Sequence, residues 1–199
     1  MIDKALRQEL LSLQAEDHRV REELLAENLL AGPYQPRMET VHRKNAARLR
    51  ELIEKHGWPS ADIAGLDGAE AAWIIAQHSV GEPEFMKQAL SLTRASFQLG
   101  KIPAWHAAYL EDRIALVEGR PQRFGTQSID DPRDGIPRPW KLADPEHVDA
   151  LRDSVGLKPL LPIPPPGPDL PIEQRRENEA TQKWWLDWLA SRGWRARSK

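Results

Sequence analysis

The sequence contains no cysteine, which removes disulfides, thiol nucleophiles, zinc–thiolate sites and iron–sulfur clusters from consideration. It also lacks a dominant charge. With 28 Lys and Arg against 30 Asp and Glu the formal net charge is -2, so the long-range attraction behind non-specific nucleic-acid or anionic-membrane binding is missing. No apolar run reaches the roughly 18 residues of a membrane span, and the opening MIDKALRQELLSLQAEDHR is charged from its third residue, unlike a signal peptide. A cytoplasmic protein with no membrane span and no nucleic-acid partner is the expectation. Gly-x-Ser-x-Gly, H-E-x-x-H, phosphate loops and dinucleotide fingerprints are absent too, which leaves serine-nucleophile, zincin and nucleotide chemistry without sequence support.

What remains is a chain of 199 residues, 40% apolar and 29% charged with both signs interspersed, the composition of a folded globular protein. From Asp3 to Ala31, Leu6, Leu10, Leu13, Asp17, Val20 and Leu24 recur at steps of four and three, the spacing of one buried helical stripe. Gly32 and Pro33 stop that helix. A second, from Arg37 to Lys55, lines up Met38, Val41, Asn45, Leu49 and Leu52 and ends in His56-Gly57-Trp58-Pro59. Ser60 to Leu66 reads as a connector, and Asp67 with Glu70 has capping-box spacing before an almost wholly apolar helix through Ala76. Proline at the start and glycine past the end bracket a fourth helix, Pro83 to Gly100, and a fifth, Pro103 to Gly119, whose seam is Trp105, Tyr109, Asp112 and Leu116.

Beyond Gly119, turn residues and prolines predict a small hairpin or irregular loop, followed by a sixth short helix from Asp144-Pro145 to Gly156. Half the residues from Lys158 to Pro171 are proline, a semi-rigid spacer, and a last helix covers residues 172–192. Four of the eight tryptophans fall in the last sixteen residues, beside the cationic Arg192, Arg195, Arg197 and Lys199. Such a density calls for an apolar partner: the chain's own body, a second protomer through the C-terminal helix, another protein, or a membrane surface, although Glu173, Glu177, Glu179 and Asp187 weigh against an anionic one. The fold class expected is mainly α: a compact multi-helix bundle with a short hairpin or irregular loop after the fifth helix and a C-terminal proline-tethered helix. Residues 1–160 form the helical domain and 161–199 the linker with its Trp-rich helix.

Asp17, Asn45 and Asp112 stand where a helical protein would place leucine, and His42 borders one of the stripes. A buried carboxylate needs partners, since an unpaired one costs several kcal/mol. If the helices converge, Asp17, His42, His78 and Asp112 are the candidate catalytic groups, an Asp–His pair acting as an oriented base. Asn45, Gln77, Arg113, Gln122, Gly125, Thr126 and Gln127 are the candidate ligand-binding residues around them. Two histidines and two aspartates could also ligate an ion, but no ligand pair sits at the spacing that puts both on one helix face, so no metal and no cofactor is assigned. His56 reads as a helix cap, and His18, His106 and His147 as surface residues.

The blocks PRMETVHRKNAARLRELIEKHGWP, GAEAAWIIAQH, AYLEDRI with EGRPQRFGTQ, and DPEHVDALRDSVGLKPL resemble an uncharacterised family of bacterial helical proteins, a domain of unknown function. The resemblance covers about residues 10–160. It implies a shared fold and no established reaction. Phe124 stands where the resemblance leads one to expect tyrosine, and the segment from Pro162 lies outside it. Two functions follow from the residues: a small-molecule-binding or acid–base enzyme domain with a polar Asp/His/Gln pocket between helices, or an interaction module whose polar core is structural and whose tail docks on a protein partner or second protomer.

Overall fold

Asp3 opens the first helix by accepting from the backbone N–H groups of Ala5 and Leu6, both at 3.0 Å, two of the donors a helix N-terminus leaves unpaired. The computed structural model describes residues 1–30 and 34–196, and the chain divides into two compact units, residues 1–110 and 111–199. The first contains α1 (Lys4–Ala26), α2 (Pro36–His56), α3 (Ala61–His78), a 3-10 turn at Ser79–Gly81, α4 (Pro83–Gln98) and the first half of α5 (Ala104–Glu118). The second holds the rest of α5, β1 (Ser128–Asp130), β2 (Pro137–Pro139), α6 (Val148–Asp153) and α7 (Ile172–Ser191). The mainly α class expected from the sequence is what is found. Among the described residues no helix is long and apolar enough to cross a membrane.

In the first unit the predicted stripes become the core: Leu6, Leu10 and Leu24 of α1, Leu49 and Leu52 of α2, Ile75 and Ala76 of α3, and Phe85 and Met86 of α4 are buried. Each Leu, Ile, Phe or Met among them contributes roughly 1.5–3 kcal/mol by leaving water. The helix α1 ends earlier than its apolar pattern suggests. Asn28 adopts a left-handed φ of 57°, while Leu29 N–H donates to Leu24 O at 2.8 Å and Asn28 N–H to Leu25 O at 3.1 Å, the paired bonds of a Schellman cap. The Gly32-Pro33 stop lies outside the described residues, as do Arg197 and Lys199.

Residues 60–66 correct the sequence reading. They are not a connector: α3 begins at Ala61, breaks at Gly65 (φ 74°, ψ 168°) and continues. Asp67, expected as a helix cap, instead accepts from Arg7 Nε at 2.8 Å and from the adjacent Gly68 N–H at 2.9 Å. At Gly68 the helices approach closely, and a Cβ there would lie 3.1 Å from Ala64 Cβ, a tight contact that Ala64 would have to relieve, and 3.5 Å from Arg7 Cα. The Gly65 conformation is one that essentially only glycine adopts. Gly65→Ala is therefore expected to lower stability by about 1–3 kcal/mol, read from the midpoint of urea unfolding. An unchanged midpoint would mean the kink is not retained in solution.

The fifth helix buries His106, Leu110, Asp112, Ile114 and Val117, while Trp105, Tyr109 and Leu116 of the predicted seam are only half-buried. The reason is that α5 is apolar on more than one face, so a single stripe does not fix its orientation.

The second unit is built on loops tied to side chains. Strands β1 and β2 pair antiparallel, Ile129 opposite Arg138, a hairpin as the turn residues suggest. Asp134 fastens the loop between them: it accepts from Arg138 at 2.7 and 2.9 Å, Arg133 at 2.9 Å and the backbone N–H groups of Ile136 and Gly167 at 3.0 and 2.9 Å. Gly167 belongs to the proline segment, so this bond and that from Leu170 N–H to Arg133 O (2.9 Å) hold the extended chain against the hairpin. Beyond it, Trp188, Leu189 and Trp194 are buried, and Trp184 and Trp185 half-buried. Arg195 donates to the carbonyls of Leu116 and Val117, at 2.6 to 2.8 Å, at the last turn of α5. A cation at that end satisfies carbonyls the helix leaves free.

Candidate functional site

Three helices of the first unit converge on one carboxylate. Asp17 sits mid-helix in α1 with its side chain 1% exposed, His42 lies in the second turn of α2, and His78 is the last residue of α3. His78 Nδ1–H donates to Asp17 Oδ2 at 2.6 Å, and His42 Nε2 stands 3.2 Å from the same oxygen. The two imidazole rings are 4.8 Å apart between centroids. On its other side His42 Nδ1 is hydrogen-bonded to the Tyr34 hydroxyl. Tyr34 packs against Val20, Leu24, Met38 and Val41, the apolar cluster where α1 and α2 meet, and so is fixed from behind.

Burial pushes the Asp17 carboxyl up, but the close His42 Nε2, the hydrogen bond from His78 and the charge of both rings outweigh it and hold the group well below the ordinary carboxylate range. The carboxylate is thus kept ionised in a nearly dry place. Its Oδ1 has no hydrogen-bond partner among the described residues. Access is graded: side-chain exposure is 11% at His42 and 33% at His78, so His78 is the edge that meets solvent.

Of the other expected site residues in this unit, Asn45 is buried one turn after His42 and donates to Leu13 O at 2.9 Å, its Oδ1 unpaired among the described residues. Gln77 is buried beside His78, and its Nε2 likewise has no partner among them. Two recesses in this unit are lined by other residues. One of about 430 Å³ runs between Leu66, Glu70, Lys101 and Trp105, the other of about 570 Å³ between Glu39, Arg43, Arg50 and Glu82.

The remaining expected residues form a separate group in the second unit. Asp112 is fully buried, and both its oxygens are taken by the following loop: Arg123 N–H at 2.7 Å, Phe124 N–H at 3.1 Å, and Thr126 N–H and hydroxyl at 3.0 Å. Gln122 spans the same loop, donating to Gln127 O (2.8 Å) and Trp140 O (2.9 Å) and accepting from Gln127 N–H (2.9 Å). Gln127 in turn donates to the Thr126 hydroxyl at 3.0 Å. Gly125 is held at φ 65°, with Leu160 and Leu142 within 3.3 Å of where a Cβ would be. This group has its hydrogen bonds satisfied internally, the pattern of a loop brace. Arg113 is half-buried; burial pushes its pKa down, and its Nε has no partner among the described residues.

Sequence reasoning misses Tyr34, which it treats as part of a turn; a phenol between the helices that carry Asp17 and His42 is the signal available. It also misplaces His106. That ring is 3% exposed, stacks on Trp73 at 4.9 Å and is pushed down to about 4 by burial, so it is a neutral core residue. His18 and His147 are exposed as expected.

A family model described as Family of unknown function (DUF6624) matches residues 4–163. The chain belongs to that family. The DUF6624 match takes in the triad, Tyr34, Asn45, Gln77 and the Asp112 loop, and stops inside the proline segment, before α7. No curated protein and no solved structure was found to match the chain.

Proposed function

We propose that residues 1–110 carry a small-molecule-binding, acid–base site centred on Asp17, His42 and His78. The observation that supports it is one buried, ionised carboxylate shared by two imidazoles from separate helices, one of them open to solvent. A brace has no need of a second imidazole or of an exposed edge. Asp17 fixes the His78 ring by accepting its Nδ1–H, and the hydrogen bond between the Tyr34 hydroxyl and Nδ1 fixes His42, so both rings are oriented before a ligand arrives. The ligand approaches past His78, with Gln77 and Asn45 as further polar groups of the same two helices. The cytoplasm is the compartment in which we place this activity.

The test is a thermal-shift screen of the full chain against metabolites. A hit is expected to raise the unfolding midpoint of the wild type and to leave His78→Gln unmoved. Hits that shift both equally, or no hits at all, would count against the reading.

One observation favours the second reading, an interaction module. In residues 111–199 the polar groups Asp112, Gln122 and Asp134 are all internally satisfied, while Trp184 and Trp185 of α7 remain half-exposed. That reading applies to a protein partner or a second copy held through α7, and sedimentation of the full chain separates the two.

A further inference from the structure

We propose that Asp17, His42 and His78 bind one divalent transition-metal ion of the Zn²⁺ and Fe²⁺ class. The inference rests on reading the triad as a site and goes beyond it by naming what neutralises the carboxylate. One donor atom from each of the three side chains lies within 4.8 Å of the others. The Asp17 Oδ2 to His42 Nε2 separation of 3.2 Å is close to the edge of a tetrahedron with bonds of about 2.0–2.1 Å, the range for zinc to imidazole and carboxylate. The contact from Asp17 Oδ2 to His78 Nδ1, 2.6 Å, is a hydrogen bond, and loss of that one proton lets the ion take its place.

Three features single this cluster out from an ordinary buried ion pair. The carboxylate is nine-tenths buried and more, yet Oδ1 has no partner among the described residues, so half of its negative charge faces no donor. An ion held by Asp17 compensates that charge far better than a shared proton does. Tyr34 on His42 Nδ1 is the outer hydrogen bond that metal-binding histidines characteristically make, leaving Nε2 to face the carboxylate. Finally, the three ligands come from three helices and leave the His78 side open, so a fourth position would be filled by water or an anionic oxygen of a substrate.

The donor set decides the class of ion. Two imidazole nitrogens and one carboxylate oxygen suit borderline first-row ions with open positions, whereas Mg²⁺ and Ca²⁺ prefer all-oxygen sites and Cu⁺ prefers sulfur. With two neutral rings and one carboxylate, a divalent ion leaves the site at +1, which favours an anionic ligand. When the ion is bound, the acid–base work passes from the imidazole to its coordinated water.

The experiment is titration of the chelator-stripped full chain with Co²⁺, followed by visible absorption and competed with Zn²⁺. We expect one Co²⁺ per chain, displaced by Zn²⁺. His78→Ala should weaken binding by roughly 100-fold and Tyr34→Phe by about tenfold, the range for losing a ligand's supporting contacts or more. His147→Ala, at the exposed Asp144 pair, should leave it unchanged. Circular dichroism checks that each variant is folded, and Tyr34→Phe keeps the test decisive if a ligand variant is not. Absence of saturable binding, or binding that survives His78→Ala, overturns the proposal. Lost Co²⁺ binding with the metabolite shift intact removes the ion alone. Co²⁺ binding with no metabolite hit removes the acid–base reading alone.

Discussion

Replacing His42 and His78 together by leucine is expected to destabilise the metal-free protein by about 3–5 kcal/mol, the cost of leaving a buried charge without its partners. Asp17 would lose the two rings that now face its Oδ2. Adding Asp17→Leu should recover most of the loss, because removing both sides of a buried pair is far milder than removing one. The sign of the pH dependence is a second readout. In the wild type the folded-state pKa of Asp17 lies below its ordinary value of 3.8, so its contribution to stability is present above that value and is lost as the pH falls. Without the imidazoles, burial acts unopposed and raises the folded pKa above the unfolded one. The double variant should then gain relative stability in acid and lose it as the pH rises through the raised pKa. Urea midpoints of the three proteins across pH in the presence of chelator measure both effects. A double variant within 1 kcal/mol of wild type at neutral pH would show that Asp17 is not the charge the two helices are built around.

How much of this is legible in the sequence depends on the range of the interaction. That Asp17 and Asn45 face the interior follows from spacing alone, because steps of three and four assign a residue to a helix face without reference to anything else. Which partner faces them does not follow. Asp17 and His78 are 61 residues apart, and their meeting depends on α1 packing between α2 and α3, which rests on Gly65 and Gly68 removing side chains from the α1–α3 contact. Gly65 lies inside the stretch read as a connector, and glycine is a breaker locally and a spacer only in three dimensions. Asp17 and Asp112 carry the same pattern in sequence, an aspartate inside an apolar seam, and meet different fates: imidazoles lie opposite one, backbone N–H groups of residues 123–126 opposite the other. His106 is misread for the converse reason, because nothing local announces that Trp73 will cover it.

Asp112→Ala is expected to be the costliest single substitution in residues 111–199, at about 3–5 kcal/mol. The carboxylate accepts from the N–H groups of Arg123, Phe124 and Thr126 and from the Thr126 hydroxyl. Each buried donor left without an acceptor costs roughly 1–3 kcal/mol. Partial relaxation of the loop keeps the total below the simple sum. Asp112→Asn should lose about half as much, since one carbonyl oxygen still accepts while the new NH₂ faces donors. Hydrogen exchange locates the effect: the amides of residues 123, 124 and 126 should lose protection first, before those of α7. Gln122 holds the other side of the same loop through Gln127 and Trp140, so the cost of Gln122→Ala and that of Asp112→Ala should combine to less than their sum. The distinction from a catalytic aspartate is then measurable. A catalytic group replaced by its amide leaves folding intact and removes the response to ligand, whereas a brace replaced by its amide weakens the loop whether or not any ligand is present. Unchanged protection at residues 123–126 in Asp112→Asn would return Asp112 to the list of chemical groups and leave the loop to be held by Gln122 alone.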